Sequence, residues 1–292
     1  GTFYAYTSDT VSTVSTSQDL IFTINFNYME YRLRLDKMTV EHRATVNYFL
    51  KSNSSPICVN NLIGNSIQFI FQNRIVCMNC GKKTTKSFMS GYCFRCFQTS
   101  AETSPCILKP ELCQAHLGHG RDINWEKKHH LQPHIVYLSY TGNVKVGVTK
   151  KTNSHSRWID QGALAAIVLA ETQNRYQAGC IEVALKEILS DRTSWQAMLK
   201  TNTIEADLLI EKKRAAAFIY DKYKAFISPS SEVVTFKYPK LSTPAKIKSL
   251  NLDKSPIISG TLTGIKGQYF YLDNEFVFNV RRHSGYEVLL KF

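Results

Sequence analysis

Polar and apolar residues alternate over LIFTINFNYMEYRLRL, Leu20 to Leu35, and again over SIQFIFQNRIVC, Ser66 to Cys77. Period-two alternation predicts strands, so residues 19–76 read as a small β-rich unit. The preceding segment, 1–18, is rich in Ser and Thr and reads as loose. Further on, HIVYLSY and VKVGVT read as two short strands joined by a tight turn. RWIDQGALAAIVL then predicts a helix opened by Arg157, AGCIEVALKEILS a second helix and SWQAMLK a short third. IEADLLIEKKRAAAFIYDKYKAF predicts a long helix. Asn202 and Glu205 are spaced there as a capping box, and Ile204, Leu208, Ala215, Ile219 and Phe226 recur at helical spacing. Residues 134–226 are therefore expected to form an α/β unit. Residues 227–256 carry four of the eight prolines and read as a connector. Residues 257–292 read as a β-meander that packs on the N-terminal strands or closes its own small barrel. The fold class expected from this pattern is α+β.

Length and composition narrow the partners. The 292 residues are 43% hydrophobic and 12% aromatic, a globular composition, and no apolar run reaches the roughly 18 residues of a membrane span. No secretory signal stands out; the chain opens on Gly1 rather than Met, so its native start is expected upstream. The net charge is +13, which favours a polyanionic partner, nucleic acid before membrane. The distribution sharpens this. No Asp or Glu lies between Glu41 and Glu102, while Arg43, Lys51, Arg74, Lys82, Lys83, Lys86 and Arg95 all do.

Six of the eight cysteines cluster between Cys77 and Cys113. Cys77, Cys80, Cys93 and Cys96 are spaced C-x2-C-x12-C-x2-C, and two such turns aim four thiolates at one tetrahedral centre. This predicts a zinc ribbon over 77–125, structural because four thiolates fill the coordination sphere, in a reducing, cytoplasmic compartment. A four-thiolate zinc is net negative, so Lys82, Lys83, Lys86 and Arg95 partly balance it as well as offering contacts to nucleic acid. Cys106, Cys113, His116 and His119 could hold a second zinc, against the alternative of two small buried cysteines and two solvated histidines. His129 and His130 are further possible ligands, although an HH pair is more often surface.

The order Val136-Tyr137-Leu138, Lys145-Val146-Gly147, then Arg157 before a helix and Glu182 on a later one resembles the GIY-YIG nuclease domain. The resemblance implies an aromatic strand paired with a second strand, an essential arginine and a metal-binding glutamate. Lys145 stands where that pattern has its second tyrosine, as in related nuclease-like branches, and Gln161 stands where many members place histidine. A wider stretch resembles an uncharacterised bacterial family, domain of unknown function 2797. It includes RIVCMNCGKKTTKSFMSGYCFRCF, CILKPELCQAHLG, KVGVTKKTNSHSRWIDQGA and NRYQAGCIEVALKEIL.

Phosphodiester cleavage needs charge stabilisation on phosphate, a base for water and a Lewis acid at the leaving oxygen. Arg157 suits the phosphate, Glu182 a Mg2+ or Mn2+, and Tyr137 or Lys145 the water. Trp158 and Gln161 read first as packing and orientation residues, although Trp158 could stack a base, and Arg175 could line the site. Each has a plainer reading: Arg157 paired with Asp160 or Glu182, Tyr137 a strand aromatic, Glu182 a solvated helix position. Three functions remain distinct on this evidence: a metal-dependent nuclease, a non-catalytic DNA- or RNA-binding protein, and an adaptor stapled by zinc.

Overall fold

The computed structural model describes residues 29–244 and 246–292. The loose segment 1–18 and the first part of the alternating stretch, 20–28, lie outside the described residues. β1 (Glu30–Arg34) belongs to the rest of that stretch. β2 (Thr39–Glu41), β3 (Asn47–Leu50) and β4 (Ile57–Cys58) form a three-stranded antiparallel sheet in that order. β5 (Ser66–Val76) is the second alternating stretch; its Ile67 and Phe69 are buried, and it leads directly into Cys77. β6 (Lys83–Thr84) folds back on its end. α1 (Phe94–Thr99) and α2 (Ile123–His130) bracket a run of short 3-10 turns.

β7 (His134–Tyr140) and β8 (Val144–Lys150) form the expected antiparallel hairpin. α3 (Ser154–Asp160) follows, then β9 (Ala165–Thr172), α4 (Arg175–Leu185), α5 (Trp195–Lys200) and α6 (Leu208–Tyr223). β10 (Val233–Thr235), β11 (Lys248–Leu250), β12 (Ile257–Lys266), β13 (Tyr269–Leu272), β14 (Phe276–Asn279) and β15 (Tyr286–Lys291) complete the chain.

The result is a mixed α+β architecture. One sheet runs β1-β15-β5-β12-β13-β14-β11, with β6 paired to β5. β5 lies between β15 and β12, antiparallel to both, so strands from the two ends of the chain share one sheet. A second sheet runs β10-β9-β7-β8, and α4 and α6 pack on it and on each other. β7 is buried along its whole length because strands flank it on both sides and helices cover it. No described helix is long and apolar enough to cross a membrane.

Three expectations need correction. The helix expected from Arg157 through Leu169 is in fact α3 followed by β9. Gly162, at φ +68°, takes the left-handed turn that stops the helix, and a Cβ there would meet Met198 Sδ at 2.3 Å. Arg157 accordingly sits in the last turn of α3 rather than opening it. The long helix starts at Leu208, where Asp207 Oδ1 accepts from the backbone N–H of Leu209 and Ile210 at 2.8 and 3.2 Å, so Asn202 and Glu205 form no capping box there. The connector supplies two strands, β10 beside β9 and β11 beside β14.

Candidate functional site

The four-cysteine cluster is built at the end of β5. Cys77 follows Val76, and the chain turns through Gly81, at φ +70°, with Gly81 N–H donating to Cys77 O at 3.0 Å. The second pair flanks the start of α1: Cys93 precedes it and Cys96 lies on its first turn. The four sulfurs lie within 4.8 Å of one another, and Cys80 Sγ and Cys93 Sγ are 3.9 Å apart. Donors on a tetrahedral zinc at its usual bond lengths stand roughly 3.3–3.8 Å apart, so the four thiols are compatible with a structural zinc. Burial opposes the Cys77 thiolate, but backbone N–H groups of Cys80, Cys93 and Asn79 aimed at its sulfur outweigh that and lower its pKa; the Cys93 N–H lies 3.2 Å away. Lys82, Lys83, Lys86 and Arg95 are exposed on this ribbon.

A separate cleft of about 310 Å3 opens over the second sheet, lined among others by Gly147, Thr149, Arg157, Gln161, Glu182 and Asp191. Tyr137 faces Gly147 across the hairpin, and a Cβ on Gly147 would lie 2.6 Å from the Tyr137 hydroxyl. Glycine is required because the phenol occupies the space of a side chain. Gly147→Ala should cost about 1–3 kcal/mol, as overpacking does. Chemical unfolding measures it, and an unchanged midpoint would show that the phenol is free to move.

The Tyr137 hydroxyl bonds to the Gln161 amide at 2.8 Å. With that amide oriented so that its nitrogen donates to Tyr137, its oxygen accepts from Arg157 Nε and Nη2 at 3.3 and 3.1 Å. Tyr137, Gln161 and Arg157 thus form one chain of hydrogen bonds from the sheet to the cleft. Asp160 does not pair with Arg157; its oxygens take Lys37 Nζ at 2.5 Å and Gln268 Nε2 at 2.9 Å.

Glu182 is 8% exposed, and none of the ion pairs among the described residues involves it. Lys186, one turn on, pairs with Asp191 at 3.0 Å instead. Burial, with Asp191 and Glu111 nearby, raises the Glu182 pKa against the pull of Lys186 and Arg175. Lys145 lies two residues before Gly147, on the same face of β8. Burial, reinforced by the Arg157 charge, brings it down to about 8. Burial pushes the Tyr137 phenol upward, with Arg157 pulling the other way.

A second cluster brings together Cys106, Cys113 and His130, all buried, with their donor atoms within 4.8 Å of one another. His116 and His119, expected as ligands beside the two cysteines, are not in this group. A 3-10 turn carries His116 away to stack on Tyr176, with ring centroids 4.4 Å apart. His130, a further possible ligand although such a pair is more often surface, is 2% exposed because α2 returns the chain and places its last residue against both sulfurs. Nothing but proximity along the chain favoured His116 over His130.

Two other candidates serve structurally, Trp158 as its packing reading has it. Trp158 is 2% exposed and packs edge-on against Tyr137, so no base can stack on it. The Arg175 guanidinium borders the cleft but donates to the carbonyls of Cys106 and Ile107 at 3.0 and 2.9 Å, tying the cysteine loop to the start of α4. Asn174 caps that helix, accepting from Gln177 N–H at 3.0 Å. Asp191 lines the cleft and carried no sequence signal. The loop wall is close. A Cβ on Gly179 of α4 would meet Glu111 N at 2.2 Å, so helix and loop touch backbone to backbone.

The profile of a family described as a protein of unknown function, DUF2797, matches residues 64–288. No curated protein and no solved structure matches.

Proposed function

The chain belongs to the DUF2797 family, and we propose that its cleft is a divalent-metal-dependent phosphodiesterase site acting on nucleic acid, in the manner of the GIY-YIG nucleases. The observation that carries this reading is convergence. Arg157 and Glu182 border one cleft from different helices; among the described residues Arg157 lacks the ion pair its plainer reading requires, and Glu182 is buried where its plainer reading has it solvated. The hairpin, the helix that carries Arg157 and the later helix that carries Glu182 follow in the order that the resemblance implies, with β9 between the two helices.

Arg157 binds the scissile phosphate, its fork oriented by Gln161 and, through it, by Tyr137. Tyr137 is therefore a positioning residue; buried and with its pKa raised, it is a poor base at neutral pH. Lys145 is the better base because burial makes its neutral form accessible near pH 8. Glu182 would hold Mg2+ or Mn2+, hard cations that take carboxylate oxygens. Such a cation would supply Lewis acidity at the leaving oxygen and would relieve a buried carboxylate that forms no ion pair among the described residues. The exposed Lys82, Lys83, Lys86 and Arg95 extend the contact with the polyanion, and affinity falls steeply with salt.

A pH–rate profile of cleavage tests the assignment of the base. A lysine base works only when deprotonated, so log kcat should rise with unit slope below about pH 8 and level off above it. In Lys145→Met the inflection should vanish with the rate. A rate that is flat or falling between pH 7 and 9, or a rise that persists in Lys145→Met, would overturn it.

A further inference from the structure

We infer that Cys106, Cys113 and His130 form a second zinc site, with three protein ligands and a fourth position that faces the neighbouring cavity. The donor geometry fits before any metal is added. His130 Nδ1 lies 3.5 Å from Cys113 Sγ and 3.9 Å from Cys106 Sγ, close to the roughly 3.3–3.8 Å edges of a tetrahedral zinc. Two sulfurs and one imidazole are the donor set that zinc prefers over harder cations.

The surroundings are those of a built site. The Ser104 hydroxyl lies 3.1 Å from Cys106 Sγ and can donate to a thiolate. Arg175 fixes the Cys106 and Ile107 carbonyls, and Asp122 caps the helix that ends at His130, accepting from the N–H groups of Asn124 and Trp125 at 3.1 and 3.0 Å. Trp125 sets the His130 ring edge-on, with centroids 5.3 Å apart. Cys106 and His130 are thus held by groups that are not themselves ligands, as outer-shell partners commonly do.

The fourth position distinguishes this centre from the four-cysteine ribbon. Among the described residues, no further Cys, His, Asp or Glu donor completes the group. Cys106 and Cys113 both line a cavity of about 690 Å3, bordered also by Glu111, His116, His119 and Tyr176. Structural zinc sites close with four protein ligands, whereas three ligands beside a cavity leave a coordination position to water or a small anionic donor. The inference is independent of the phosphodiesterase reading.

Mercurial release of zinc from the purified native chain, followed with a metallochromic indicator, should give two ions per chain. His130→Ala should give one, and His130→Cys two. Cobalt-exchanged native protein should show thiolate-to-cobalt absorption and d–d bands that shift on adding azide, because the four-cysteine centre has no position for it. His116→Ala and His119→Ala should leave both the count and the azide response unchanged. One zinc per native chain, or two in His130→Ala, would overturn the site. Loss of an ion in either His116→Ala or His119→Ala, or no azide response, would overturn the fourth position. Should His130→Ala fail to fold, the native zinc count and the cobalt spectrum decide the matter alone.

Discussion

Glu182→Gln is expected to lower kcat for nucleic-acid cleavage by about two to three orders of magnitude while leaving substrate affinity within a few-fold. The reasoning starts from burial. A carboxylate 8% exposed, with its pKa raised and no ion pair among the described residues, is costly to the folded chain above its pKa. Glutamine keeps the shape and removes the charge, so folding stability should hold or rise. A lost Lewis acid costs several kcal/mol of transition-state stabilisation, and each 1.36 kcal/mol is a factor of ten in rate. Phosphate contact through Arg157 survives, so affinity barely moves. A residue that loses activity and gains stability is one retained for chemistry. Single-turnover cleavage and chemical unfolding of the same preparation measure both. A variant that is less stable and fully active would make Glu182 a packing residue.

Cys77→Ser is expected to release the ribbon zinc and to destabilise the chain by at least about 3 kcal/mol. Metal affinity at a structural site is folding free energy, and peptide zinc fingers draw about 10–16 kcal/mol from it. Loss of the ion would loosen the ribbon over 77–97 first. It would also reach the sheet, because Cys77 adjoins β5, whose Val76 N–H donates to Gly285 O at 2.8 Å. Zinc analysis should show one ion fewer per chain, and limited proteolysis should cut first between residues 77 and 97. Unchanged zinc content with an unchanged unfolding midpoint would remove the ribbon from the account.

Local patterns carried the reading furthest where one chemical constraint dominated. The CxxC pairs predict the four-cysteine cluster because four thiols at that spacing have one good arrangement. The alternation in Ser66–Val76 predicts β5 because one face of its first half is core. β9 was hidden for the opposite reason. Ala165–Thr172 lies between β7 and β10 with most of its residues buried, so it reads as an unbroken apolar run, which periodicity cannot tell from a buried helix. Gly162 was the available signal for the break. The partnership of β5 with β12 and β15 depends on pairing between distant segments, which no local window contains. At the site, Tyr137, Arg157 and Glu182 were legible as an ordered set, but the bond from Tyr137 through Gln161 to Arg157 emerges only when the strand and the helix meet. His130 needed α2 to bring it back, and Trp158 needed the packing that buries it.

The most direct test of the proposed activity is cleavage of labelled single- and double-stranded DNA and RNA by the native chain, in Mg2+ or Mn2+ and in EDTA. The account predicts scission of at least one substrate with metal and none in EDTA, with the bound fraction similar in both. Binding without scission in either metal, or scission that persists in EDTA, would contradict it.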